Sequence, residues 1–137
     1  SMAESSRYLI LTLAEETFAI PITSLLEITT PRNIQRDPNL SEVFEGKYEY
    51  RGRMIPVLNM KRVLKFPGAA GASLIVTRCA KGVIGLLVDG AKELLDIREQ
   101  PAPLPAGVVN PGLRYYAGVL RNGNELVLLL NENGLMP

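Results

Sequence analysis

The chain has 137 residues, 47% of them hydrophobic, which is enough for one domain with a buried core. Its 15 basic and 14 acidic residues leave a formal net charge of +1, too small a field to attract nucleic acid or an anionic membrane. The absence of histidine and the single cysteine, Cys79, exclude His-based catalytic triads, internal disulfides and Cys₄ or His-containing zinc sites. We therefore expect no cofactor, a reducing cytoplasmic setting and no direct membrane insertion, because the longest apolar run, Leu126–Leu130, is far shorter than the ~20 residues of a membrane-spanning helix.

The first third of the sequence predicts three short strands followed by a polar loop. Tyr8–Leu13 is apolar on both faces, Thr17–Ile20 returns after a short acidic turn, and Leu26–Thr30 is rich in β-branched residues. Pro21–Leu25 interrupts the strand pattern and suits one helical turn with proline near its start. Pro31–Ser41, which carries several Pro, Asn and Asp residues, predicts an exposed irregular loop.

The middle of the chain, Phe44–Lys65, predicts a strand, a tight turn, a second strand and a short helix. The turn falls at Arg51-Gly52-Arg53, where Gly52 supplies either a backbone conformation with positive φ or room for a close backbone approach. The second strand is Met54–Leu58. Asn59 is a suitable N-cap for the helix that follows, because its side-chain oxygen can accept a free backbone N–H of the first turn.

A stretch of small residues, Pro67–Ala72, divides the chain almost in half. The strands Ser73–Cys79 and Val83–Val88 follow it, joined by a glycine turn. Ala91–Ile97 is predicted as a further strand, although its leucines and isoleucine also fit a short helix. Cys79 lies at the end of an apolar strand, where a free cysteine behaves as a small apolar side chain.

The last part of the chain predicts a proline-rich loop and a hairpin. Four prolines in Glu99–Gly112 indicate an extended loop with few ladder hydrogen bonds. The strands Leu113–Arg121 and Glu125–Leu130 flank Asn122-Gly123-Asn124, and Asn-Gly is a strong hairpin signal. Asn131–Leu135 suits a final helical turn.

About ten short strands in two sets of five, each set followed by a helical turn, indicate an all-β fold of barrels or sandwiches. Several strands are apolar on both faces, as in Tyr8–Leu13 and Val83–Val88. A single small barrel has only one buried face. The sequence therefore predicts two packed barrels with a third core between them.

Four blocks of the sequence, in order, resemble the CheW-like domain of bacterial chemotaxis coupling proteins. The blocks are YLILTLAEETFAIPITSLLEI, YRGRMIPVLNMKRVL, VIGLLVDGAKELLDI and AGVLRNGNELVLLLNENGL. The resemblance implies a single CheW-like domain over residues 1–137. Within it we expect two five-stranded, SH3-like barrels, approximately residues 7–66 and 73–135, joined by the 67–72 linker with allowance for one strand crossing over.

The resemblance also implies a non-catalytic adaptor. Such proteins bridge the regulatory domain of the chemotaxis histidine kinase and the cytoplasmic tips of methyl-accepting chemoreceptors. We expect a cytoplasmic protein held at the inner face of the membrane through receptor arrays, with self-association in rings as a further expectation.

Positions that match the family's motifs give the candidate protein-binding residues. They are Ile22, Leu25, Glu27, Gly46, Lys47, Tyr50 and Arg51. Glu27 and Arg51 are expected to form an ion pair between neighbouring strands, and Gly46 to lie beside the kinase-facing surface. The two apolar positions are expected near a groove between the barrels that receives a receptor helix.

The sequence departs from the family pattern at several of these positions. Lys47 stands where apolar or small residues are usual, and Tyr50 stands where Leu is usual. Asn59 replaces a common Asp, an exchange that is nearly neutral for a helix cap.

Three alternatives remain open from the sequence. The chain is either a coupling adaptor or a divergent CheW-like paralogue that binds only receptors or other array components in a motility-control pathway. A small barrel that binds nucleic acid is a further alternative, because Tyr48, Tyr50, Arg51 and Arg53 interleave aromatic and basic side chains. An enzyme finds little support, since no base, metal cluster or phosphate-binding loop accompanies the carboxylates. Asp89 in particular suits a turn residue that bonds its own backbone.

Overall fold

Ten strands and two short α-helices make up most of the described chain, which is residues 6–104 and 111–137 of this computed structural model. The first five strands are β1 Ser6–Leu13, β2 Glu16–Pro21, β3 Leu25–Thr29, β4 Phe44–Tyr50 and β5 Arg53–Asn59, followed by helix α1 Met60–Leu64. The other five are β6 Ser73–Cys79, β7 Gly82–Val88, β8 Gly90–Ile97, β9 Tyr116–Asn122 and β10 Glu125–Leu130, followed by helix α2 Glu132–Leu135.

The strands form two five-stranded sheets. The first sheet has the order β8-β1-β2-β10-β9, and the second has the order β3-β6-β7-β5-β4. All neighbours are antiparallel except β2 with β10 and β5 with β7, which are parallel. The predicted all-β fold of two packed five-stranded units is confirmed, with one difference. Among the described residues, no ladder joins the end strands β8 and β9 or β3 and β4, so neither sheet is a closed barrel.

The two halves of the chain are equivalent repeats that exchange strands. In the first half, β1 and β2 belong to the first sheet, and β3, β4 and β5 belong to the second. The second half reverses this assignment, because β6 and β7 lie in the second sheet and β8, β9 and β10 in the first. The expected units 7–66 and 73–135 therefore differ from the sheets. The third strand of each half completes its ladder on the other half, β3 on β6 and β8 on β1.

Three clusters of buried side chains confirm the prediction of a third core. One belongs to the first sheet and includes Ile10 and Val127, and another belongs to the second sheet and includes Val57 and Val76. The largest, here called the inter-sheet core, draws on both sheets. Its buried members are Leu9, Leu11, Leu13, Phe18, Ile20, Leu58, Met60, Val63, Ile75, Ile84, Leu86, Val88, Leu130 and Leu135. Alternate residues of one strand thus enter different cores, which explains the strands that are apolar on both faces.

Two-residue turns with positive φ close the hairpins of the first half. Ala14 and Glu15 between β1 and β2 have φ of 50° and 67°, and Arg51 and Gly52 between β4 and β5 have φ of 48° and 77°. Two positive φ values are the mark of a type I′ turn, whose twist matches that of the flanking strands. Of the two roles predicted for Gly52, the positive φ is therefore confirmed.

Where the elements predicted from local signals differ from those of the structure, they differ mainly in the residues at which they begin and end. Ala91–Ile97 lies in a strand, as favoured over the helical alternative. The expected strand Leu113–Arg121 begins only at Tyr116, because Pro111–Tyr115 forms a 3₁₀ helix. Part of the proline-rich loop, residues 105–110, lies outside the described residues. Just before it, Ala102 exchanges two backbone hydrogen bonds with Val119 at 2.8 and 2.9 Å.

Candidate functional site

Gly46 lies on β4 at a position where neighbouring backbone atoms leave no room for a side chain. Its φ is 153°, and an added Cβ would collide with the backbone carbonyl of Gln35. The contact arises because Gln35 and Lys47 exchange backbone hydrogen bonds, each of 2.8 Å, along the outer edge of β4. The glycine therefore lets the loop after β3 lie directly against the strand.

Four of the predicted binding residues, Gly46, Lys47, Tyr50 and Arg51, lie together on β4 and the turn after it, and we call them the hairpin surface. Lys47 Nζ lies 3.2 Å from Asp37 Oδ2, so its charge is paired. Tyr50 is half-buried and packs against the core of the second sheet. The Arg51 guanidinium lies 5.3 Å from the centre of the Tyr50 ring, a cation–π distance.

Glu27 is not part of the hairpin surface. It is exposed on β3, which with β4 forms the two ends of the second sheet. No ion pair joins it to Arg51 in the part of the chain that the structure describes, so the expected pair between neighbouring strands is wrong. The physical reason is the strand order, because β6, β7 and β5 separate β3 from β4 in the ladder.

Ile22 and Leu25 lie where the chain crosses from the first sheet to the second. Both are half-buried, and Leu25 packs against the inter-sheet core. The Ile22 amide donates a 3.0 Å hydrogen bond to the Arg7 carbonyl, and the Leu25 amide donates one of 3.1 Å to the Ile22 carbonyl. The Leu25–Ile22 bond closes a turn that is not part of a helix, where the sequence predicted one helical turn.

Two exposed apolar residues on end strands of the sheets were not among the sequence candidates. Ile28 on β3 is 44% exposed and pairs across the ladder with Ile75, and Leu94 on β8 is 50% exposed and pairs with Leu9. Both partners belong to the inter-sheet core. The apolar surface of this core therefore continues onto one end strand of each sheet, and we call Ile28 and Leu94 the inter-sheet surface.

A second pair of exposed apolar residues, Met54 at 45% and Leu126 at 65%, lies on equivalent strands of the two repeats. Met54 lies on β5 and directly precedes the buried Ile55. Leu126 lies on β10 and directly precedes the buried Val127. Because successive side chains of a strand point to opposite faces, Met54 and Leu126 face away from the cores that bury Ile55 and Val127. The sequence alone does not tell whether a second core covers that face.

Asp89 joins elements of both sheets. Its Oδ2 accepts the Ala14 amide at 2.7 Å, and its Oδ1 lies 2.9 Å from Lys61 Nζ, which also donates to the Ala69 carbonyl at 2.9 Å. The hydrogen bond from Lys61, helped by that from Ala14, lowers the pKa of the Asp89 carboxyl against the opposing effect of burial. These partners of the Asp89 side chain come from α1 and the β1–β2 turn, whereas the sequence predicted a bond to its own backbone.

The described residues contain no group of three His, Cys, Asp or Glu side chains placed to hold a metal ion. No helix among them has the length and hydropathy needed to cross a membrane.

The fold and these surfaces define a class: a small domain of two packed sheets with apolar strand edges of the kind that bind other proteins. The family model of the CheW-like domain matches residues 7–137, and the chain belongs to that family.

Two curated relatives carry the name chemotaxis protein CheW. The one from Klebsiella aerogenes is 26% identical over 133 residues, which cover 94% of this chain and 80% of the relative. The one from Treponema pallidum is 21% identical over 131 residues, which cover 90% of this chain and 77% of the relative. The crystal structure of the scaffolding protein TtCheW from Thermoanaerobacter tengcongensis has the same fold, with a TM-score of 0.86 at 22% identity over 96% of this chain and 92% of that one.

Proposed function

We propose that the chain is a non-catalytic adaptor that couples methyl-accepting chemoreceptors to a chemotaxis-type histidine kinase. The membership of residues 7–137 in the CheW-like family and the names of its relatives support a role in chemotaxis. In this role the protein works in the cytoplasm, held at the inner face of the membrane by the receptors.

The observation that carries the receptor half of the proposal is the inter-sheet surface. Ile28 and Leu94 expose apolar area beside a core that is otherwise buried, and Ile22 and Leu25 lie half-buried where the chain crosses between the sheets. An amphipathic helix buries its apolar face against such a surface. The cytoplasmic tip of a chemoreceptor is the helical partner proposed here.

The kinase half of the proposal rests on the hairpin surface. Gly46 keeps the backbone of β4 close to the loop, Arg51 presents positive charge at its edge, and Lys47 presents an ion pair with Asp37. Tyrosine and arginine side chains are enriched in protein interfaces. We assign this surface to the regulatory domain of the kinase.

Ring formation with further copies of the chain is proposed from the repeat. Met54 and Leu126 are exposed apolar residues on equivalent strands of the two sheets, and a head-to-tail contact between copies joins two such different surfaces.

Calorimetric titration of the protein with a receptor-tip fragment tests the first surface. We expect Ile28→Glu and Leu94→Glu each to weaken binding at least about tenfold, since each places a charge in an apolar contact. Lys81→Glu, on the exposed turn between β6 and β7, introduces the same residue elsewhere and leaves the affinity unchanged. Equal affinity of all three variants would contradict the assignment.

Titration with the isolated regulatory domain of the kinase tests the second surface. Arg51→Glu and Lys47→Glu are expected to reduce this affinity and to leave receptor binding intact. Receptor binding without any kinase binding by the unaltered protein would instead identify a divergent, receptor-only member of the family. Binding of neither partner would overturn the proposed function.

A further inference from the structure

A cleft of about 480 Å³ lies beside the second sheet and uses none of the residues assigned above. It is lined by the loop after β3, by the small-residue stretch before β6, and by single residues of β4 and β7. These residues are Thr30, Pro31, Arg32, Ile34, Arg36, Glu45, Ala70, Gly71, Ala72 and Leu87. Clefts of this size hold small ligands or a few residues of a peptide.

The cleft carries two positive charges that are unpaired within residues 6–104 and 111–137. Arg32 and Arg36 are exposed, and neither forms a hydrogen bond or an ion pair within the described residues. Arg7, by contrast, is paired with Asp96 at 2.9 Å, and Lys47, Lys61 and Arg62 also have acidic partners. Two guanidinium groups on one cleft repel each other, and an anion between them removes that repulsion.

The third charged residue of the cleft, Glu45, already has partners. Its Oε2 accepts a 3.1 Å hydrogen bond from Asn59 Nδ2 and lies 3.7 Å from Arg62 Nη1. The Glu45 charge is therefore engaged inside the domain, and Arg32 and Arg36 determine the sign of the charge offered to a ligand.

The walls of the cleft are held in place by contacts of their own. Between the two arginines, Gln35 exchanges two backbone hydrogen bonds of 2.8 Å with Lys47. On the linker, Gly71 packs so closely on the Val88 carbonyl that no Cβ would fit, and the neighbouring Ala69 carbonyl accepts from Lys61. A cleft formed before binding loses little entropy when it receives a ligand.

From these observations we infer that the cleft binds an acidic segment of a partner protein, with carboxylates paired to Arg32 and Arg36 and an apolar side chain against Ile34 and Leu87. Arginine forms two parallel hydrogen bonds to a carboxylate, which suits both guanidinium groups. The inference is independent of the receptor and kinase surfaces, because it involves different residues.

The test is a titration of the ¹⁵N-labelled protein, followed by NMR, with a capped tripeptide of aspartate, leucine and aspartate. We expect the amide signals of Arg32, Gly71 and Ala72 to shift and the affinity to fall as salt is added. Arg32→Gln and Arg36→Gln should each weaken binding at least about fivefold, the loss of one charge-assisted pair. Arg121→Gln, at an exposed arginine on β9, is the matched control and should bind like the unaltered protein.

Three comparisons decide the outcome. The same peptide with asparagine in place of aspartate should not bind, and equal binding would overturn the inference. Inorganic phosphate or a short single-stranded oligonucleotide binding more tightly than the peptide would also overturn it, as would unchanged cleft signals at millimolar peptide. Because both arginines are exposed, their substitution leaves the fold intact, which thermal unfolding of each variant verifies.

Discussion

Gly46 illustrates how a single missing side chain determines the local structure. Gly46→Ala would place a methyl group on the Gln35 carbonyl, so β4 and the loop must separate. We expect a loss of about 2 kcal/mol or more in the free energy of unfolding, because backbone strain adds to the loss of the Gln35–Lys47 hydrogen bonds. Urea unfolding measures this difference.

Gly52→Ala is the matched control for that experiment. Gly52 also has positive φ, 77°, but nothing lies within 4 Å of an added Cβ. Its substitution should therefore cost only the conformational strain, about 1–2 kcal/mol. An equal or larger loss for Gly52→Ala would contradict the role given to the Gln35 carbonyl.

Asp89 predicts a dependence of stability on pH. Its pKa is lowered in the folded protein, chiefly by the hydrogen bond from Lys61, so the carboxylate stabilises the fold above its unfolded pKa of about 3.9. This contribution is lost as the pH falls through the lower, folded pKa. The unaltered protein should thus be more stable than Asp89→Asn at pH 7, and the difference should shrink when both are unfolded by urea near pH 2.5.

Asp96→Asn serves as the comparison for Asp89→Asn. Asp96 also has a lowered pKa, owing to Arg7, but both side chains of that pair are more than half exposed. Water screens such a pair, so its removal should change stability less than the loss of Asp89 does. A difference between Asp89→Asn and the unaltered protein that persists undiminished at acid pH would contradict the assignment.

At the scale of single elements, helix α1 shows why a cap must be judged with its neighbours. The sequence predicts that Asn59 and Asp are nearly interchangeable as caps, and Asn59 Oδ1 does accept from the Arg62 amide at 3.3 Å. Asn59 is only 2% exposed, however, and its Nδ2 donates to Glu45 Oε2. Asp cannot make that second bond.

Asn59→Asp is therefore expected to destabilise the protein by about 1–3 kcal/mol at pH 7, since it buries a carboxylate against that of Glu45. Adding Glu45→Gln, whose amide can donate to the new carboxylate, should restore most of the loss. Thermal unfolding of the single and double variants measures the coupling. If Asn59→Asp left the stability unchanged, the helix cap alone, and not the bond to Glu45, would account for the contribution of residue 59.

Local signals predicted the elements well where the chemistry is local. The turn at Gly52, the cap at Asn59 and the hairpin at Asn122-Gly123 each depend on residues adjacent in the chain. The 3₁₀ helix at Pro111–Tyr115 was missed because its apolar residues also fit a strand. The Glu27–Arg51 pair failed because it depended on strand order, which no local pattern contains.

For the whole molecule, strands with two apolar faces correctly predicted a core between two packed units. They did not show which half of the chain supplies each strand. An apolar strand gains the same burial in either sheet, so periodicity does not distinguish a strand that stays from one that crosses. The surface residues Ile28 and Leu94 were missed for the same reason, because their exposure depends on where each sheet ends.

The exchange of strands between halves predicts how the chain behaves when it is cut. A break within the linker 67–72 leaves β1 and β2 in one fragment without β8 and β10, and β6 and β7 in the other without β3 and β5. Neither fragment can then bury its apolar faces, and we expect neither to unfold cooperatively by itself. Mixed together, the two fragments should form a one-to-one complex with the circular dichroism spectrum of the intact chain. Cooperative unfolding of either fragment alone, detected by calorimetry, would mean that each half completes its own sheet. The exchange therefore makes the inter-sheet core a condition for folding, because each half provides strands that the other half must pair with.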